Sequence, residues 1–189
     1  GTRTGAGGGS GVNRFQLVGA VNDYADFLQR KKQLGGSSGF DPLWMPDFLF
    51  DFQRHLVEWA IRKGRAAVYA DCGLGKSAIM LAWAENIIRR TNKPVIVLTP
   101  LAVSHQLVRE GEKFGIEVHR SIDGRPLPNI TVTNYERMDK FDPSDYAGVV
   151  CDESSILKHW SGATQKAVTR FASKMPYRLL CTATPAPND

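Results

Sequence analysis

The sequence AAVYADCGLGKS, residues 66–77, determines how the rest of the chain is interpreted. A short apolar run with strand character leads into a glycine-containing turn, and Lys76, Ser77 and a helical pattern follow it. Such a turn needs glycine, because glycine adopts backbone angles that other residues resist and lets the main chain approach an anion. The N–H groups that open the next helix then face that anion. The stretch therefore predicts a phosphate-binding loop, and the alternative is a plain glycine turn with a surface lysine.

Within this loop each residue type has a predicted task. Gly73 and Gly75 form the turn, Lys76 supplies a positive charge for the β- and γ-phosphates, and Ser77 supplies a hydroxyl for Mg²⁺. The pattern G-x-x-x-x-G-K-[ST] would place glycine where this chain has Ala70. The strand before the loop and the helix after it are the context that supports the prediction.

Composition is typical of a soluble globular domain, with 42% hydrophobic and 23% charged residues in a chain of 189. The net charge of +5 suits a polyanionic partner without requiring one. Three cysteines without a C-x-x-C pair argue against a disulfide framework or a zinc site and favour a reducing compartment. No apolar run could span a membrane and no signal peptide is present, so we expect a cytoplasmic protein of a bacterial or phage-infected cell.

The chain divides by composition into two parts. Residues 1–45 are a Gly-rich flexible segment with one short helix, and its stretch from Gly35 to Pro46 has the composition of a linker. Residues 46–189 form the folded domain. Both ends of the chain look cut, so we expect a fragment of a longer protein.

Strand and helix patterns alternate along this domain, which predicts an α/β fold with a mostly parallel sheet and helices on both faces. Ligands of such sheets bind outside the carboxyl ends of the strands. Polar residues follow the predicted strands at those ends, and they are the phosphate loop, Thr99, Thr133, Asp152 with Glu153, and Thr182. The predicted elements are helices 49–63, 101–114 and 162–174, a helix after the loop, and strands 66–69, 95–98, 116–118, 130–133, 146–151 and 177–181.

Asp152 and Glu153 follow an apolar strand directly. Mg²⁺ bound to a triphosphate needs oxygen ligands, and hydrolysis needs a group that orients and deprotonates water. Adjacent carboxylates at a strand end can divide these tasks, with Asp152 toward the metal and Glu153 toward the water. The alternative is an exposed Asp-Glu pair at a turn. Gln53 adds an amide that could pair with the edge of adenine, although an exposed helical glutamine is the simpler interpretation.

In combination, these strings resemble the first RecA-like domain of superfamily-two helicases and translocases, which is a P-loop NTPase fold. Lys158, six residues after Asp152, and Asn188, three after Pro185, resemble the Swi/Snf-like branch, which includes phage and bacterial members; a DEAD/DEAH-type branch is the other candidate. The strings that carry the resemblance are DFQ 51–53 (adenine motif), ADCGLGKS 70–77 (motif I), LTPL 98–101 (motif Ia), TNYE 133–136 (motif Ib), DESS 152–155 (motif II) and TATP 182–185 (motif III).

The resemblance implies a role for each motif. Gln53 reads adenine. ATP and Mg²⁺ are held by Gly73, Gly75, Lys76 and Ser77. Asp152 serves the metal, and Glu153 serves the attacking water. The regions of Thr99 and Thr133 touch the nucleic-acid backbone, and Thr182 and Thr184 couple nucleotide state to that contact. Lys158 is counted with these nucleic-acid and coupling residues. Ser155 departs from the usual His or Asp of motif II, which places coupling through that side chain in doubt. Cys72 is unusual in motif I, and we expect it to be a small loop residue.

A second RecA-like domain would bring arginines to the γ-phosphate, and no Q-x-x-G-R-x-x-R string occurs in this chain. We therefore expect the isolated segment to bind ATP–Mg²⁺ modestly and to hydrolyse ATP very slowly. The leading hypothesis is the ATP-binding half of a nucleic-acid-dependent ATPase, a DNA helicase or double-strand translocase. The alternatives are a non-hydrolysing DNA-binding clamp or scaffold, an RNA helicase, and a small-molecule phosphotransferase. The last of these leaves the TATP string unexplained.

Overall fold

A computed structural model describes residues 37–70, 75–154 and 161–182 of the chain. Several predictions fall outside those ranges and stay predictions. They concern the short N-terminal helix, Cys72, Gly73, Ser155, Lys158, Thr184 and Asn188.

The described residues form an alternating series of strands and helices. They also include three short 3₁₀ helices, which are Leu101–Val103 after the second strand, Tyr135–Lys140 after the fourth strand and Pro143–Asp145 before the fifth strand. In chain order the main elements are α1 (Asp51–Lys63), β1 (Arg65–Tyr69), α2 (Lys76–Thr91), β2 (Val95–Thr99), α3 (Ser104–Phe114), β3 (Val118–Arg120), β4 (Ile130–Asn134), β5 (Gly148–Asp152), α4 (Gly162–Ser173) and β6 (Tyr177–Thr182).

The six described strands make one sheet in the order β1-β6-β5-β2-β4-β3. Every pairing is parallel, so all carboxyl ends point to the same edge. The registers pair Tyr69 with Thr182 and Asp152 with Cys181, which brings the ends of β1, β6 and β5 side by side. The prediction of a mostly parallel α/β sheet is confirmed.

Helices cover both faces of the sheet, and the side chains of β2 illustrate this because they alternate between the two faces. Val95 and Val97 belong to a larger core that includes the buried faces of α1, α2 and α3, whereas Ile96 and Leu98 belong to a smaller core with α4. Side chains of a strand alternate between faces, so a continuous apolar run such as 95–98 fills both cores. The sequence prediction of helices on both faces is therefore correct.

One predicted strand is displaced by two residues. The pattern suggested 116–118, but the strand runs from Val118 to Arg120. The helix before it ends at Gly115 in the left-handed conformation, and the N–H of Ile116 donates to the carbonyl of Gly111 at 2.9 Å. Ile116 thus completes the helix cap and is not available for the sheet.

Residues 39–45, predicted as a linker, are anchored to the domain. The N–H groups of Gly39 and Phe40 donate to carbonyls at the end of α1, and the Asn86 amide binds the main chain of Leu43 and Trp44 at 2.8–2.9 Å. The rings of Phe40 and Trp44 pack against the larger core. Glycine and proline content suggested a linker, but partial burial of these two aromatic rings against the core holds the segment in place. Within the described ranges, no helix has the length and apolar character needed to cross a membrane.

Candidate active site

The junction between β1 and α2 carries the end of the predicted phosphate loop. Gly75 is the N-cap of α2 and has φ 68° and ψ 41°, in the left-handed region. A Cβ at this position would also lie 2.3 Å from Nε2 of Gln53. Glycine is therefore favoured at residue 75 mainly by the backbone angle, and a larger residue would also have to displace the Gln53 amide. Lys76 and Ser77 follow in the first turn of α2, where main-chain N–H groups have no helical partner.

Lys76 contacts both carboxylates of the predicted pair. Its Nζ lies 3.2 Å from Oδ1 of Asp152 and donates a hydrogen bond to Oε1 of Glu153. Burial of the lysine side chain, which is 16% exposed, lowers its pKa, but the two carboxylates outweigh that cost and raise the pKa above its ordinary value. Lys76 is therefore positively charged at ordinary pH, and it lies beside both carboxylates of the predicted pair.

Asp152 ends β5 with its side chain 2% exposed. Its Oδ2 accepts a hydrogen bond from Thr99 Oγ1 at 3.0 Å, which fixes the carboxylate plane. Oδ1 is buried and accepts no hydrogen bond from any described group, although Lys76 Nζ lies nearby. A buried carboxylate oxygen with spare capacity suits a divalent cation.

The donor set around this oxygen fits Mg²⁺. No group of three or more His, Cys, Asp or Glu side chains that could hold a metal occurs among the described residues. Mg²⁺ does not need one, since it keeps several waters and takes one or two protein oxygens together with phosphates. Asp152 and the hydroxyl of Ser77 would be those protein ligands.

Glu153 stands just past the end of β5 with φ 50°. Left-handed backbone is uncommon for a residue with a Cβ and is found at functional sites where neighbouring contacts determine it. This turn directs the Glu153 carboxylate toward Lys76, while 31% of the side chain is exposed. The carboxylate is thus accessible to water and close to the predicted phosphate position.

Gln53 lies in the first turn of α1 and is buried. Its Oε1 accepts a hydrogen bond from the N–H of Phe50 at 3.0 Å, and its Nε2 is 3.5 Å from the carbonyl of Gly75. The amide therefore connects the start of α1 to the exit of the phosphate loop. Its role in reading adenine stays a prediction.

Three threonines predicted at the edge of the sheet lie at strand ends, with their side chains buried. Thr99 uses its hydroxyl on Asp152, Thr133 is 1% exposed, and Thr182 pairs its main chain with Tyr69 and Ala70 of the β1 segment. Any nucleic-acid contact in the regions of Thr99 and Thr133 must be made by neighbouring exposed groups, because these two side chains do not reach the surface.

Tyr135 was not singled out by the sequence and has a defined place in this site. Its hydroxyl donates to the main-chain carbonyl of Asp152 at 2.7 Å, across 17 positions of sequence. The string TNYE drew attention to residues 133–136 as a group, but nothing local indicates this long-range contact.

Two cysteines lie beneath the site, one on each face of the sheet. Cys151 and Cys181 are free and buried. Burial raises the pKa of the Cys151 thiol to about 12 and raises that of Cys181 as well. Both thiols are therefore neutral and unreactive at ordinary pH.

Comparison with known proteins finds helicases and SWI2/SNF2 ATPase cores among the similar proteins, although no family model matches the chain. The sequence is 25% identical over 157 residues to the mouse DNA annealing helicase and endonuclease ZRANB3, covering 73% of this chain and 14% of that protein. The fold is similar to a Sulfolobus solfataricus SWI2/SNF2 ATPase core in complex with dsDNA, with TM-score 0.67, 22% identity and coverage of 79% of this chain and 35% of that one. It is also similar to the UvsW helicase from bacteriophage T4, with TM-score 0.63, 12% identity and coverage of 89% and 70%.

The described residues have the RecA-like P-loop NTPase fold. The chain spans about a seventh of the length of the mouse relative and about a third of the archaeal ATPase core. Because these relatives come from a mammal, an archaeon and a phage, the predicted phage or bacterial origin stays a prediction.

Proposed function

We propose that this RecA-like domain is the ATP-binding half of a DNA helicase or double-strand translocase, which couples ATP hydrolysis to movement on DNA. The observation that carries the proposal is the meeting of Lys76, Asp152 and Glu153 at one edge of a parallel sheet, directly beside a left-handed glycine at a helix N-terminus. That arrangement supplies a charge for phosphate, an oxygen for a cation and a base for water.

The residues would divide the reaction among them. Lys76 and the main-chain N–H groups opening α2 bind the phosphates and stabilise the negative charge that moves toward the leaving oxygen. Asp152, oriented by Thr99, and Ser77 would hold Mg²⁺, which neutralises phosphate charge when bound. Glu153 accepts the proton of the attacking water.

A triphosphate would compete with Glu153 for Lys76. The lysine forms ion pairs with both carboxylates and donates a hydrogen bond to Glu153, so its transfer to phosphate releases the Glu153 oxygen that it occupied. The released carboxylate is then able to accept a proton. Binding of ATP therefore prepares the base as well as the substrate.

Duplex DNA is the proposed partner, in a reducing, cytoplasmic compartment of a bacterial or phage-infected cell. Support comes from the names of the relatives, one of which is a DNA annealing helicase and another an ATPase core in complex with dsDNA. The net charge of +5 agrees with contacts to a phosphate backbone. A second RecA-like domain would complete the motor, and we propose that without its arginines this domain hydrolyses ATP very slowly.

Substitution Lys76→Ala tests the proposal. We expect loss of ATP binding in a fluorescence titration with a labelled nucleotide, because the phosphate charge loses its partner and two carboxylates face it unopposed. Lys166→Ala, on the exposed surface of α4, is the matched control and should bind as wild type does. Unchanged affinity in Lys76→Ala would reject this nucleotide site.

Hydrolysis by the full-length natural protein then distinguishes the alternatives. Stimulation by duplex DNA supports a translocase or helicase, whereas stimulation by RNA alone indicates an RNA helicase. ATP-sensitive DNA binding that is identical in wild type and Glu153→Gln would indicate a non-hydrolysing clamp.

A further inference from the structure

Tyr135 begins the 3₁₀ helix Tyr135–Lys140 that follows β4. Its ring is 4% exposed and belongs to the smaller core together with Leu98 and Phe171. Its hydroxyl donates to the carbonyl of Asp152 at 2.7 Å and also interacts with the thiol of Cys151. Burial raises the pKa of this phenol well above its ordinary value, so the hydroxyl remains a donor at any pH at which the protein is folded.

The carbonyl that Tyr135 holds belongs to the peptide unit leading into Glu153. A peptide unit is planar, so a hydrogen bond on its oxygen fixes the plane that contains the nitrogen and Cα of the next residue. The side chain of Asp152 is held separately by Thr99 and Lys76. The Tyr135 bond therefore acts on the main chain at the point where the backbone leaves β5.

Glu153 needs this restraint because of its backbone conformation. At φ 50° it occupies a sparsely populated region, which persists only where surrounding contacts determine it. Relaxation of that turn would move the carboxylate away from Lys76. A displacement of about 1 Å in a catalytic group is enough to lower a rate roughly 100-fold.

We propose that Tyr135 is a positioning residue for hydrolysis, which holds the Glu153 carboxylate in register with the phosphate site through the Asp152 carbonyl. The inference rests on the proposed function and adds to its site a residue from the 3₁₀ helix that follows β4. Tyr135 does not touch the reacting atoms and acts only through Glu153.

Substitution Tyr135→Phe in the full-length natural protein removes the hydroxyl and keeps the ring. We expect kcat for ATP hydrolysis to fall roughly 10- to 100-fold, since the base is misplaced, while KM for ATP changes less than about twofold, since Gly75, Lys76 and Ser77 are untouched. Steady-state kinetics with duplex DNA measure both constants. Unfolding curves of wild type and variant confirm that the fold is retained.

Tyr146→Phe is the matched control. Tyr146 is a second buried tyrosine of the same core, and no described contact joins its hydroxyl to Asp152. Its kcat should equal that of wild type. Cys151→Ala removes the thiol that interacts with the Tyr135 hydroxyl and should likewise leave kcat unchanged.

A double-mutant cycle decides whether Tyr135 acts through Glu153. The single-turnover rate of the double variant Tyr135→Phe, Glu153→Gln should equal that of Glu153→Gln, because the base that Tyr135 positions is already gone. The inference would be overturned if Tyr135→Phe and Tyr146→Phe lowered kcat equally. It would also be overturned if Tyr135→Phe lowered the rate of the Glu153→Gln variant as much as it lowers the rate of wild type. If wild type hydrolyses ATP and Tyr135→Phe has a normal kcat, the role of Tyr135 is wrong and the proposed function stands. If wild type does not hydrolyse ATP, the proposed function is wrong as well.

Discussion

Lys76 is shared between two carboxylates, and this sharing determines what each substitution at the site does. One positive charge faces two negative ones, so removal of the lysine leaves Asp152, which is buried, with an uncompensated charge. Removal of the Glu153 charge instead leaves a balanced pair, because Lys76 then faces only the charge of Asp152. Substitutions of these residues should therefore separate binding from hydrolysis.

In the full-length natural protein, Glu153→Gln should strongly lower the rate of ATP hydrolysis without weakening ATP binding. The amide has the shape of the carboxylate but cannot accept a proton, so we expect turnover to fall about 10²–10⁴-fold. The dissociation constant for ATP should stay equal or become smaller, because the amide competes less with phosphate for Lys76. Phosphate release and nucleotide titration measure the two effects.

Glu112→Gln, on the exposed face of α3, is the control and should change neither quantity. Retained turnover in Glu153→Gln would remove this residue from the reaction. Affinity for ATP weakened tenfold or more would contradict competition for Lys76.

Single residues differ in how far sequence alone predicts them. Lys76, Asp152 and Glu153 were predictable because each sits at a fixed position after a strand, and strand ends of a parallel sheet share one edge. The contact of Tyr135 with Asp152 was not, because it depends on how two strands and a 3₁₀ helix pack. The same holds for Gln53, whose contact with Gly75 depends on α1 lying beside the loop.

The junction of β1 with α2 is the element on which the site depends. Its left-handed N-cap, Gly75, begins a helix whose first main-chain N–H groups have no helical partners and can bind an anion. The order of strands and helices followed from periodicity and glycine positions, which are local signals. The start of β3 did not, because the cap at Gly115 takes Ile116 into the helix end.

Gly75→Ala should destabilise this junction. The new Cβ meets both an unfavourable φ of 68° and the Gln53 amide, so we expect a loss of about 1–3 kcal/mol in the free energy of unfolding. Urea unfolding followed by circular dichroism measures it.

Gly162→Ala is the matched control at another helix start. A Cβ there meets nothing within 4 Å, so the substitution should be neutral or stabilise by up to about 1 kcal/mol. Equal stability of the two alanine variants would show that the Gly75 conformation is not required.

At the scale of the whole molecule, the sheet gathers the site from distant parts of the sequence. The order β1-β6-β5-β2-β4-β3 places the strand before the phosphate loop two positions from the strand that ends at Asp152. Apolar runs in the sequence indicate burial on both faces but not which strands are neighbours, so this order was not predictable from the residues alone. The gathering of polar strand ends at one edge was predictable, because it follows from parallel strands in any order.

The most direct test of the central claim is a structure of this chain bound to a non-hydrolysable ATP analogue and Mg²⁺. We expect a phosphate oxygen about 3 Å from Lys76 Nζ, in place of the bond to Glu153, and the metal on the side of Asp152 Oδ1 and Ser77. An analogue bound elsewhere, with Lys76 still bonded to both carboxylates, would contradict it.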